Sequence, residues 1–144
     1  MRYIIILGYL FFNNITLARE YPTTIDLRAA YCIKVTQNLI GLLKPFEQMS
    51  EEMKSAIQEE ESKLNKLQTF VKERIGYIYS QPIITAMQSA IKDWEDSNKE
   101  SKKCLANKGG NQSFETAQEC IDNSPANDLT LRLRRCNSIN WLPY

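Results

Sequence analysis

Four cysteines, Cys32, Cys104, Cys120 and Cys136, constrain this 144-residue chain more than any other feature, because each cross-link dictates which segments lie side by side. Their redox state is read from the N-terminus. Arg2 precedes an apolar run from Tyr3 to Phe12, and Thr16-Leu17-Ala18 then offers small residues at the third and last positions before a cleavage point. A run of about ten residues is half of what a spanning helix needs, so the segment reads as a secretory signal peptide and not as an anchor. We therefore expect residues 1–18 to be a signal peptide, and 19–144 to form a single secreted, extracellular domain with two disulfides.

Charge and composition narrow the function classes. Losing Arg2 with the leader leaves seventeen basic and seventeen acidic side chains. A neutral chain lacks the clustered positive charge that nucleic acids or anionic membranes require, so neither is expected as a partner. The sequence has no histidine, which removes Ser-His-Asp and Cys-His catalysis and histidine-ligated zinc. No CxxC spacing occurs, and disulfides leave no thiol free to attack. Nothing places a carboxylate in an apolar pocket that would raise its pKa. Glu59, Glu60 and Glu61 point about 100° apart on a helix and cannot converge on one ion, so they read as a solvated face. The expectation is a non-enzymatic protein with no cofactor and no metal site.

Helical periodicity runs through the whole of the mature chain. Thr23 or Thr24 caps a first helix from Ile25 to Leu43, with Asp26 at the positive end of its dipole. Pro45 stops it. Phe46, Met53 and Leu67, together with Ile57, Leu64, Val71 and Ile78, form the two seams of a heptad, with Glu60 and Arg74 as misfits. That second helix spans Phe46 to Ile78. Ser80 and Pro82 open a third, Ile83 to Leu105, which stops before Gly109-Gly110. A short fourth helix is expected around Phe114 to Ile121. The segment Leu129 to Arg134 alternates like a strand, yet Asn127 or Asp128 as a cap favours a short helix. The fold class is all-α: a disulfide-linked helical bundle with a long antiparallel pair, helices two and three, and short C-terminal helices. Helix heights at 1.5 Å per residue put Cys32 and Cys104 level, at roughly 16 to 18 Å from the first turn. This favours Cys32–Cys104 with Cys120–Cys136. Cys32–Cys136 with Cys104–Cys120 is nearly as good, and the third connectivity stays open.

Two binding classes remain. A macromolecular binder is preferred, with Arg132, Arg134, Arg135, Trp141 and Tyr144 as candidate contacts, since Trp, Tyr and Arg centre interfaces. Trp141 and Leu142 have a second possible role, folding back to plug the bundle. The rival is a carrier of an apolar small molecule lined by Met49, Met53, Met87, Tyr77, Tyr79 and Trp94. Asn111-Gln112-Ser113 is a candidate glycosylation sequon.

A signal peptide, about 125 mature residues, helices throughout and four cysteines together resemble the small salivary proteins of anopheline mosquitoes, the anophensin and albicin type. The likeness covers the whole mature chain through size, secretion, helicity and cysteine count. It implies an all-α disulfide-linked fold, and interference with a host defence cascade: the alternative complement pathway or the contact system. No functional residue is carried over from it. N-terminal sequencing of the secreted protein should begin at Arg19-Glu20-Tyr21; material that keeps Met1 would overturn the leader assignment.

Overall fold

Between Arg28 and Lys44 only Lys34 carries a charge, so this stretch cannot turn a polar face to water along its length. It forms helix α1, Thr24–Leu43, and becomes the centre of the molecule. Its buried positions, Asp26, Ala29, Ala30, Cys32, Ile33, Val35 and Thr36, cover more than half of its circumference. Ala29 and Ala30, both fully buried, let neighbouring elements come close. The computed structural model describes residues 21–75, 80–109, 116, 119–120 and 126–143. After α1, a 3₁₀ turn at Lys44–Phe46 leads to α2 (Glu51–Ile75), α3 (Gln81–Asn107) and α4 (Ala126–Arg134). The expected all-α, disulfide-linked class is what the chain adopts, with no strand among the described residues.

The outer helices are one-sided, as their charge content requires. On α2, Ile57, Leu67 and Val71 are buried with Leu64 half-buried, a single apolar face drawn from both seams of the heptad. On α3, Ile83, Ala90 and Ser97 recur every seven residues on the inner face. Both helices pack along α1, α2 antiparallel to it and α3 parallel, whereas α2 and α3 scarcely touch each other. The long antiparallel pair therefore runs through α1 and not between helices two and three. Helix two is also shorter than expected, because Pro45 and the 3₁₀ turn absorb Phe46 and the residues after it; Phe46 and Met49 are exposed. Gly109 ends α3 in a left-handed conformation (φ 74°) that a side chain would strain.

Helix α4 leans on α3, with Ser97 Oγ 3.4 Å from Thr130 Oγ1. The chain then turns back across α1, and Cys136 bonds Cys32 while Cys104 bonds Cys120. The preferred pairing, Cys32–Cys104 with Cys120–Cys136, is thus overturned in favour of the nested one. The reason is register. Tyr31 on α1 is level with Asp93 on α3, joined by a hydrogen bond, so Cys104 lies about 16 Å further along at 1.5 Å per residue. The expected leader, Asn111, Tyr144 and most of the expected fourth helix lie outside the described residues; Thr116, Glu119 and Cys120 of that helix are helical.

One polar cluster locks α1 to α2. Thr23 is the N-cap, its hydroxyl accepts from the Asp26 N–H, and Asp26 Oδ2 accepts from the Thr23 N–H at 2.7 Å, a reciprocal box. Asp26 Oδ1 accepts from Arg74 Nε at 2.6 Å. Burial (0% exposed) would raise the Asp26 pKa, but the Thr23 hydrogen bonds and the Arg74 guanidinium outweigh it and hold the carboxyl below its ordinary value. A lowered folded pKa means the cluster stabilises above the ordinary carboxylate value near pH 4, and that contribution is lost as pH falls through the lower, folded value. Arg74→Ala should cost about 2–4 kcal/mol in denaturant unfolding, since it leaves a buried carboxylate uncompensated. Asp26→Asn should flatten the acid limb of Tm against pH below about pH 4; an unchanged limb would place the acid sensitivity elsewhere.

Candidate functional site

The C-terminal tail is where sequence reasoning placed the contact residues, and its local chemistry decides their role. Leu142 is 8% exposed and belongs to the core with Ala29, Ile33 and Val71. Trp141 packs half-buried beside it, donates from Nε1 to the Ser138 carbonyl at 2.7 Å, and presents its ring to the Arg28 guanidinium at 4.3 Å. Trp141 and Leu142 therefore act as the plug, with the indole's polar and apolar surfaces both engaged within the molecule.

The arginines are placed differently. An open concavity of about 640 Å³ lies where α1, α3, α4 and the residues after α4 meet. Leu27, Ala86 and the Cys32–Cys136 disulfide contribute apolar lining. Arg28, Arg132 and Arg135 surround it. Two of the three arginines singled out from the sequence, Arg132 and Arg135, are thus brought together; Arg134 does not line the concavity, as expected for adjacent residues that diverge. Arg28 was not singled out. The signal for it was present but conditional: an arginine stands four residues ahead of Cys32, as Arg132 stands four ahead of Cys136, and once these two cysteines pair the arginines converge.

Their electrostatics are unequal. Arg132 Nη2 bonds Asp128 Oδ2 at 2.7 Å, and its Nη1 lies 3.7 Å from Asp93 Oδ2. Asp93 also accepts the Tyr31 hydroxyl at 2.7 Å. Burial and that bond to Asp93 push the Tyr31 pKa far up, so the phenol stays a neutral donor across the physiological range. Arg28 and Arg135 make no ion pair among the described residues; the link between them is a hydrogen bond from Arg28 Nη2 to the Arg135 carbonyl at 3.2 Å. Of the five arginines among the described residues, three surround this hollow, whereas none of the eleven lysines does. Arginine's planar fork suits two-point capture of carboxylate or phosphate.

Of the lining expected for an apolar carrier, four residues are described. Met49 is 75% exposed, Met87 and Trp94 pack on the core, and Tyr77 and Tyr79 lie outside the described residues. Of the three consecutive glutamates, Glu60 pairs with Lys63 and Glu61 with Lys44. Among the described residues no group of three acidic or cysteine side chains is arranged to hold a metal, and no helix is long and apolar enough to cross a membrane. Two disulfides fit an extracellular setting. Comparison with family models, curated proteins and solved structures returns no match.

Removing residues 140–144 should lower Tm by at least about 5 °C, because it strips Leu142 from the core and Trp141 from Arg28. A truncated protein that melts like the intact one would refute the plug.

Proposed function

We propose that this chain is a secreted, non-enzymatic protein that acts by binding another macromolecule, and that the arginine wall is its contact face. One observation carries this: Arg28 and Arg135 share a concave wall without a carboxylate partner among the described residues, in a chain of near-zero net charge. Concentrated positive charge on a neutral protein steers an acidic partner without attracting polyanions at large. The partner class supported is a protein presenting acidic side chains. Arg134, exposed beside the wall, can add to the rim of the same contact.

As a finer proposal, drawn from the resemblance in size, secretion and cysteine count, the partner is a component of a host defence cascade and the protein is a salivary inhibitor. Alternative-pathway complement lysis and contact-system activation, each assayed with purified protein in plasma, test this directly. Inhibition of one cascade by the native protein, weakened about tenfold or more in Arg135→Glu at unchanged Tm, is the expected result. Inhibition of neither cascade would overturn the salivary assignment. Equal potency of the charge-reversed variant would overturn the contact face.

A further inference from the structure

The wall explains the charge but not the hollow behind it. A flat protein contact needs no depression, yet this open concavity offers about 640 Å³, within the roughly 300–1,000 Å³ of small-molecule sites. Its lining divides by chemistry. Leu27 and Ala86, half-buried, and the buried Cys32–Cys136 disulfide offer apolar surface with no charge. Tyr31 also lines it, but its hydroxyl is committed to Asp93. The cations are Arg28, Arg135 and the already paired Arg132.

We propose that the hollow binds a single-chain amphiphile with a compact anionic headgroup, the head held by Arg28 and Arg135 and the chain laid on Leu27, Ala86 and the disulfide. This rests on the arginine wall being the binding face, but not on the macromolecular partner. Charge complementarity selects the occupant. A neutral apolar ligand would leave two guanidinium groups to be desolvated without compensation, and a fully polar anion would gain nothing from the apolar surface. Arg132 is held in place by Asp128 and Asp93, so it shapes the wall, while Arg28 and Arg135 have no carboxylate partner among the described residues to compete with a headgroup. Trp141 stacks on Arg28 and reports on it: a headgroup that draws the guanidinium away alters the indole's surroundings.

The test titrates the full mature protein with laurate, dodecyl phosphate and dodecanol, read by calorimetry and by Trp141 fluorescence in a Trp94→Phe background. One anionic molecule should bind per protein with micromolar affinity, and dodecanol at least about tenfold more weakly. Whichever of laurate and dodecyl phosphate binds tighter names the headgroup. Arg28→Gln/Arg135→Gln should weaken anion binding about tenfold or more. Ala86→Phe, which fills the hollow without changing charge, should abolish amphiphile binding. The headgroup comparison on the otherwise unaltered protein decides the matter if that variant fails to fold. No binding of either anion up to about 100 µM, or dodecanol bound equally well, overturns the proposal. Amphiphile binding without cascade inhibition leaves this site standing and removes the salivary-inhibitor reading; the converse removes only the amphiphile.

Discussion

The Cys32–Cys136 bridge is the constraint on which the rest of the structure depends. It joins the middle of α1 to the turn after α4 across a separation of 104 residues. On a chain-entropy model, closing a loop of that length disfavours the unfolded state by about 4–5 kcal/mol. The geometric consequence outweighs the energetic one. With Cys136 fixed against α1, the last residues have to cross α1, which puts Leu142 in the core and Trp141 over Arg28. The same closure sets the apolar lining of the concavity and brings Arg132 and Arg135 from the C-terminal segment to Arg28 on α1.

That arrangement demands an unusual central helix. With α2 on one side, α3 on another and the tail across a third, α1 has little surface left for charge, and its sequence reflects this from Ala29 onward. A helix buried this widely has no single apolar stripe to define its rotation, because slightly turned alternatives would bury nearly as much. Directional contacts supply the missing specificity. Asp26, tied at once to its own N-cap and to Arg74, fixes α1 against α2, and Tyr31–Asp93 fixes it against α3. A charge with a matching cation at one place resolves what apolar contact leaves degenerate.

Legibility follows the same division between local and long-range physics. Helices, the Thr23 cap, the Gly109 stop and the helical choice for the segment ending at Arg134 are written in neighbouring residues, and were readable. Arg74, a misfit when α2 is treated as an isolated heptad, is explained by Asp26, 48 positions earlier. The cysteine pairing failed for a related reason. Stacking helices by length assumed that consecutive helices pair and that helix two begins at Phe46; α2 begins at Glu51 instead, and α1 is the shared partner. An error of a few residues in each turn moves Cys104 by several ångströms at 1.5 Å per residue, enough to exchange one connectivity for another. With the pairing misassigned, Arg28 could not be joined to Arg132 and Arg135, so the site was the least legible part.

Placing three arginines around one hollow has a cost for folding, since each guanidinium raises the energy of the others. The molecule offsets part of it. Asp128 and Asp93 neutralise Arg132, and the indole face of Trp141 receives Arg28. Arg135 receives no such partner among the described residues, although acidic side chains are as numerous as basic ones in residues 19–144. Stability alone gives no reason to keep that charge beside Arg28. A neutral residue at position 135 would retain the backbone carbonyl that accepts from Arg28 and would relieve the repulsion. An interaction that folding would do better without, placed at the edge of a hollow it does not fill, is what a site for an external anion requires: the missing partner is supplied by the ligand, and the repulsion is relieved on binding.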